Sequence, residues 1–335
     1  MGLPALFVWG CSGQKPVLRI SVRADGLKPE LKSRFEKAFH CKVVEDPCDS
    51  NEALYAKLKA GASGYDLLVP SSTMVTMMHG QGMLQPVRHA LIPNLKYIDP
   101  KILALTGDME MHHGVPYLTR VTGIGYIDGK VSRIKPSWSM FERSELAGRI
   151  TLLDDMRETI GAALKYLGYS MNTTDVVELG MARDVVIGWK RNIARFESDH
   201  FNTGLASEDF LLVHGYRADI LRSMKDNKNV TFFVPREGSS VVRDDFCIPA
   251  DADQVELAHQ FINFLLDPKV AAENIEYVYF LAPKKPANAL PGEKIKKDPA
   301  VFTPPEIPDK CEVIRDLGED NAKYKRIWDE IKAAN

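Results

Sequence analysis

The chain has 335 residues, 45% of them apolar, and a formal net charge of -2 at pH 7. That length can bury a sizeable core and suggests about two domains. The near-neutral charge, with basic residues scattered along the chain, excludes a general electrostatic pull toward nucleic acid, so the partners are expected to be small or specific.

Five cysteines (Cys11, Cys41, Cys48, Cys247 and Cys311) include no C-x-x-C pair, so zinc and thioredoxin-type chemistry find no support. Cys11 closes an apolar stretch from Leu3 to Trp9 and is followed by the polar Ser12-Gly13-Gln14-Lys15. This pattern is similar to the end of a bacterial lipoprotein signal peptide, whose cysteine becomes the lipidated first residue of the mature protein. No basic n-region precedes it, and Trp9 is unusual so near a cleavage site. The alternative is a buried N-terminal strand with an inert cysteine. The stretch is too short to span a bilayer, and Leu6 breaks the myristoylation pattern.

Val17 to Val22 alternates apolar and polar residues, which predicts a first strand. Arg23 to Gly26 makes a loop. Pro29 suits a first helical turn, and Leu31, Phe35 and Phe39 recur at helical spacing. A strand at Lys42 to Val44 follows. Asp49 and Glu52 then stand at capping-box spacing before a helix through Leu54, Tyr55 and Leu58, ended by Gly61. Asp66 to Val69 is a third strand, closing on Pro70-Ser71-Ser72-Thr73. Strands alternating with helices at this rhythm predict a doubly wound α/β sheet, where ligands gather at the carboxyl ends of strands.

The methionines of Met74 to Met83 read as gap-filling in a helix face. His112 and His113 have no partner at metal-ligand spacing and read as loop residues. Thr122 to Ile127 carries two glycines but lacks the third glycine and the helix of a dinucleotide fingerprint. The glycines instead allow close backbone approach, or a bend where the chain crosses between lobes.

Ile150 to Leu153 predicts a buried strand, and Ile160, Leu164 and Leu167 give helical spacing after Asp155. Asp155 and Glu158 therefore share one face of a first helical turn. There the macrodipole favours both acids in ionised form, which suits a cationic ligand. An ordinary N-cap with a first-turn acid is the alternative reading. Beyond this point strands are expected at Phe210 to Val213 and Val230 to Val234, with Val241 to Ile248 following. A core-facing helix from Gln254 to Leu266 is stopped by Asp267-Pro268. Residues 283–310 are rich in Pro and Lys and should wrap the surface, and an amphipathic helix near Asn321 to Ile331 ends the chain.

Several blocks in order over about residues 17–290 together resemble the spermidine/putrescine-binding proteins, the extracytoplasmic receptors of polyamine ABC importers. They are Ser50 to Lys59, Tyr65 to Ser71, Leu152 to Glu158, Leu164 to Tyr169 with Asn172 to Asp175, Pro235 to Gly238, and Phe261 to Leu266. The resemblance implies an α/β, type II periplasmic-binding-protein-like fold. Each of its two lobes is a mixed sheet flanked by helices, with a ligand cleft between them. It further implies crossings near 119–123, 240–244 and 288–291. The lobes are then 16–120 plus 243–288 and 122–241 plus 291–335, with 1–15 the remnant of a signal and tether.

Binding residues carry over from the resemblance unevenly. Asp155, Glu158 and Asp244 match ammonium-binding acids, and Asp25 lies where an acid is often found. Ser71 and Ser198 match polar contacts. Tyr216 stands where a Trp is usual, Asp219 where some members place another acid, and Phe280 near a family Tyr. Most of the aromatic box is missing: expected aromatics are replaced by Arg23, Gly26, Thr73 and Val242.

A polyamine needs carboxylates for its ammonium ends and apolar or aromatic walls between them. Each lost cation-π contact is worth about 0.5 to 2 kcal/mol. A like charge such as Arg23 at about 4 Å costs about 4 kcal/mol at an effective dielectric near 20. Arg23 must therefore pair with an acid, point away, or meet an anionic group on the ligand, and Arg217 and Arg243 raise the same question. The sequence thus predicts a lipid-anchored receptor that passes a polyamine to an ABC permease, with no cofactor, metal or catalytic residue. A different small cationic or zwitterionic solute is the alternative, and a ligand sensor coupled to a membrane partner rather than a permease is a third reading. Enzymatic use of Asp155 and Glu158 is disfavoured, because a general acid needs a raised pKa and neither G-x-S-x-G nor H-E-x-x-H occurs.

Overall fold

A computed structural model of the chain describes residues 15–22, 26–47, 51–61, 64–104, 110–278, 310–315 and 317–334. The first sheet grows from short strand-helix units: β1 (Val17–Val22), α1 (Pro29–Phe39), β2 (Lys42–Pro47), α2 (Asn51–Lys59), β3 (Leu67–Leu68) and α3 (Ser72–Gly80). Its strands run in parallel in the order β2-β1-β3. Pro29 opens α1, whose Leu31 and Phe35 are buried one turn apart. Phe35 meets Phe261 edge-on at 4.8 Å, so the helix lies on the core rather than in solvent.

After α4 (Pro100–Ala104) comes the long strand β4 (Val115–Ile127), followed by β5 (Ile150–Leu152), α5 (Met156–Leu167), α6 (Val176–Lys190), β6 (Ile193–Phe196), α7 (Phe201–Ala206), β7 (Leu212–Tyr216), α8 (Arg217–Arg222) and β8 (Val230–Phe233). The chain then returns through β9 (Ser240–Phe246) to α9 (Val255–Leu265) and α10 (Pro268–Val278), and closes with β10 (Glu312–Val313) and α11 (Asn321–Ala333). The second sheet is mixed, in the order β10-β9-β4-β7-β5-β6 with β8 also on β4.

Among the boundaries that differ from the sequence reading, two have a cause in the hydrogen bonding. Asp267-Pro268 ends α9 but also starts α10, because Asp267 Oδ1 accepts the Lys269 and Val270 N–H groups at 2.9 and 3.2 Å and proline suits a first turn. β7 runs on to Tyr216 because Gly215 and Tyr216 pair with Gly123 and Thr122 of β4.

The apolar cores divide along the chain. One is built from Leu18 to Leu118 and Phe246 to Val278, with a satellite around Leu54, Met78 and Cys247. The others are built from Val121 to Val241 with Cys311, Tyr324, Ile327 and Ile331. β4 and β9 cross from one group to the other as an antiparallel ribbon, in which Leu118 faces Asp244, Arg120 faces Val242 and Val121 faces Val241.

Side chains alternate across such a ribbon. Arg120 and Thr122 of β4 therefore share a face with Ser240, Val242 and Asp244 of β9, while Arg243 and Asp245 point to the other face. Gly123 and Gly125 fit the close-approach reading: a Cβ at Gly123 would lie 2.5 Å from the Phe233 carbonyl oxygen, and one at Gly125 2.9 Å from Ile220. Cys41, Cys247 and Cys311 are buried and free, while Cys11 and Cys48 lie outside the described residues, as do the expected crossing near 288–291 and the segment 283–309. Among the described residues no helix is long and apolar enough to cross a membrane.

Candidate functional site

β6, β5 and β7 are parallel neighbours, so their carboxyl ends open on one side. Asp155 follows β5, Ser198 follows β6 and Tyr216 ends β7. Asp155 is the N-cap of α5, with Oδ1 accepting the N–H groups of Arg157 and Glu158 at 2.8 and 3.0 Å. The cap reading is therefore correct for this oxygen. Oδ2 takes no hydrogen bond among the described residues, so the cap leaves half of the carboxylate for other work.

Glu158 turns inward and is only 2% exposed. Its Oε2 accepts from Thr122 Oγ1 at 3.0 Å and Ser240 Oγ at 2.6 Å, so the acid is tied to both crossing strands. Oε1 has no bond among the described residues and is not one of the fully enclosed unsatisfied atoms. Burial first, and then the charge of Asp155, push the Glu158 carboxyl up to about 7, against the pull of the two hydroxyls and Arg120. The expectation that both acids stay ionised through the helix dipole is thus corrected for Glu158, because desolvation outweighs the dipole.

Asp244 has a partner that the sequence reading did not name. It is buried, and Arg120 clamps it with Nε to Oδ2 and Nη2 to Oδ1, both at 2.8 Å. The clamp neutralises the carboxylate and occupies one acceptor site on each oxygen, so Asp244 serves as the partner of an internal cation in this conformation. Burial opposes the Arg120 charge, but Asp244, with Tyr216 and Glu158 in electrostatic reach, keeps the guanidinium above its ordinary pKa.

Ser71 is the N-cap of α3 and forms an isolated bridge with Asp244. Its hydroxyl meets Thr73 Oγ1 and Asn51 Nδ2, each at 3.0 Å, and Asn51 Oδ1 accepts the Ser71 N–H. Thr73 is exposed beside it. Ser198 lies half-buried in the bend that Glu197 holds by accepting the Asp199 and His200 N–H groups at 3.0 Å. Asp219 stands one turn into α8 and bonds Arg222 at 2.6 Å. Arg222 lines a surface hollow with Asn202, Thr203, Ser223 and Lys225, a hollow that none of the cleft residues lines.

The question over Arg243 is answered by its place on the opposite face, where it is 1% exposed and paired with Asp245 at 2.6 Å. Arg217 is 2% exposed, so neither is a solvent-facing loop arginine. Arg23, Asp25, Phe280 and Cys11 lie outside the described residues. Sequence reasoning missed Arg120, Thr122, Ser240 and Asn51. Arg120 had a signal, being the one charged residue of a strand that is otherwise apolar or neutral.

The structure thus gathers Asp155, Glu158, Arg120, Asp244, Ser71 and Tyr216 around the crossing ribbon. Acid oxygens without a hydrogen-bond partner among the described residues lie at one place and a guanidinium at another. The chain matches the family of bacterial extracellular solute-binding proteins over residues 30–303. It belongs to that family.

This solute-binding protein is 30% identical to PotF, the putrescine-binding periplasmic protein of Escherichia coli, over 99% of its own length and 95% of PotF. It is 33% identical to the spermidine/putrescine-binding periplasmic protein of Salmonella typhimurium, over 91% of its own chain and 88% of the relative. Among solved structures it is similar to PotD, the substrate-binding protein of a spermidine/putrescine ABC transporter from Streptococcus pneumoniae. The TM-score is 0.90 and the identity 28%, covering 95% of this chain and 99% of that one. The TpPotD lipoprotein of Treponema pallidum gives a TM-score of 0.83 at 33% identity, over 94% and 99% of the two chains. The solute-binding protein therefore has the two-lobe α/β fold of these relatives. It is a transport component that works outside the cytoplasm, not an enzyme.

Proposed function

We propose that this protein is the receptor of an ABC importer and captures a solute of the polyamine class, or a close amine relative, in the cleft between its lobes. The observation that carries the reading is the acid pair at the start of α5, with Asp155 Oδ2 and Glu158 Oε1 unbonded, among the described residues, beside the crossing ribbon. Two carboxylates with free oxygens suit an ammonium, which brings three donors and no acceptor. The polyamine names of the E. coli, Salmonella and Streptococcus relatives support the same choice.

The lobes in this reading are residues 16–120 plus 243–288 and 122–241 plus 291–335, with Asp155, Glu158, Ser198 and Tyr216 contributed by the second and Ser71, Thr73 and Asp244 by the first. Arg23, Asp25 and Phe280 would complete the wall. Asp219 contributes only if it leaves Arg222. Isothermal titration with putrescine, spermidine and singly substituted four-carbon amines is the test. Heat for any of them supports the reading. Heat only for solutes without an ammonium group removes the amine assignment and keeps the receptor.

Residues 1–15 act here as the remnant of a lipoprotein signal and tether, with acyl chains on Cys11 holding the protein at the membrane. The apolar stretch that ends at Cys11 and the lipoprotein character of the Treponema relative support this. Metabolic labelling with palmitate tests it, and label retained in Cys11→Ala would remove the anchor.

A further inference from the structure

The cleft contains a cation of its own, and its placement restricts what can bind. Arg120 comes from β4 and Asp244 from the next strand, diagonal neighbours on one face of the crossing ribbon. The clamp is bidentate, with both bonds at 2.8 Å and the two side chains 13% and 5% exposed. Val242, which faces Arg120 across the ladder, offers no polar group to compete for it. The Arg120 side chain is not fully enclosed, and Nη1 has no partner among the described residues. One edge of the guanidinium thus remains able to donate.

We propose that Arg120 is the specificity-determining residue of this receptor: it closes Asp244 to an ammonium and offers an oxygen acceptor a place, so the guest carries an ammonium at one end and a carboxylate or amide carbonyl at the other. This rests on the reading of the cleft as an amine site, because the ammonium goes to Asp155 and Glu158. The charges decide the matter. Arg120 and Asp244 cancel, leaving the α5 acids as the net negative groups of the described cleft. A second ammonium about 4 Å from the guanidinium, with the Asp244 carboxylate on its far side about 7 to 8 Å away offsetting roughly half of the repulsion, loses about tenfold to thirtyfold in binding constant at an effective dielectric near 20. An acceptor at that place gains a charge-assisted hydrogen bond instead.

The test is calorimetric titration of the whole protein and of Arg120→Gln with three four-carbon guests: putrescine, 4-aminobutyrate and N-acetylputrescine. The native protein should bind 4-aminobutyrate or N-acetylputrescine at least about tenfold more tightly than putrescine, and which of the two wins tells carboxylate from carbonyl. In Arg120→Gln the order should invert, with putrescine gaining at least about tenfold as the like charge goes. Should that variant fail to fold, Asp244→Asn takes its place. With the guanidinium kept and its counter-charge removed, putrescine must weaken further while the acceptor-bearing guests do not.

Putrescine binding the native protein as tightly as the other two overturns the proposal, and so does an order unchanged in Arg120→Gln. Absence of heat with all three guests overturns it at its root, since that outcome removes the amine reading itself.

Discussion

Raising the pH from 5 to 8 should strengthen the binding of an amine to this protein, and Glu158→Gln should remove the effect. The free carboxyl sits at about 7 because it is buried and lies close to Asp155. An ammonium brought against Glu158 lowers its pKa by about 1 to 3, since an opposite charge favours the ionised form. The bound protein then holds fewer protons than the free one between the two values, so binding releases a proton and higher pH favours the complex. Every pH unit that separates the free from the bound value contributes about 1.4 kcal/mol, so from pH 5 to 8 the affinity gain is about tenfold to a hundredfold and levels off above pH 7.

Calorimetry at pH 6 in two buffers of different ionisation enthalpy measures the released proton directly, with an expected count of about 0.4 to 0.9 for a shift of about 1 to 3. The amine itself stays charged throughout, with a pKa of about 10, and His214, at about 3, lies below the window. At pH 8 the Gln variant should still bind more weakly by about 1.5 to 3 kcal/mol, the worth of a charged hydrogen bond. Equal heats in both buffers, with affinity flat from pH 5 to 8, would show that the Glu158 carboxylate does not touch the guest and that the α5 acids serve the helix alone. Folding feels the same group with opposite sign. The native value lies above the ordinary 4.5, so its contribution to stability is full below 4.5 and is lost as the pH rises through 7.

Two further outcomes concern stability. His214 is fully buried against Trp138 at 4.9 Å, neither ring nitrogen has a partner among the described residues, and burial lowers its pKa to about 3. It therefore stays neutral in the native state while the unfolded chain takes up a proton below about 6.5, so stability falls by about 1.4 kcal/mol per pH unit on acidification. Urea melts of His214→Phe at pH 4.5 and 7 should be less pH-dependent by roughly 2 to 3 kcal/mol, and parallel pH dependence in both proteins would refute this. Gly123→Ala should cost about 2 kcal/mol or more, because the added Cβ meets a backbone oxygen that has nowhere to go. Gly180→Ala, in the interior of α6 with nothing within 4 Å, should instead stabilise by about 0.5 to 1 kcal/mol in the same melts.

The strand-helix rhythm, the Asp155 cap and the positions of most elements were legible because each is written in local spacing. Pro29, the Leu31 and Phe35 stripe, and Asp155 with its first-turn acid are all decided within a few residues. What was not legible depended on partners far along the chain. Glu158 reads as an ionised first-turn acid until burial against two other strands raises its pKa, against the pull of the Thr122 and Ser240 hydroxyls that those strands contribute. Asn51 supports Ser71 across 20 positions, and no local pattern marks it. The second helix after Asp267-Pro268 was hidden because proline is equally suited to ending one helix and opening the next.

Asp244 shows most clearly why partner choice escapes a linear reading. It sits between Arg243 and Asp245, so sequence proximity offers Arg243 as its counter-ion. Strand alternation forbids this, because adjacent residues point to opposite faces. Arg243 instead reaches its i+2 neighbour Asp245 on the same face, at 2.6 Å. Asp244 is left on the cleft face with no neighbouring cation on its own strand, and its counter-charge must come from a paired strand or from a guest. The register of β4 brings Arg120 into diagonal reach, and the clamp at 2.8 Å engages both oxygens and neutralises the carboxylate. A single-residue change in that register would place Arg120 on the opposite face and leave Asp244 to an ammonium. The chemistry of this cleft is therefore set less by which charges the chain carries than by the parity with which two crossing strands present them.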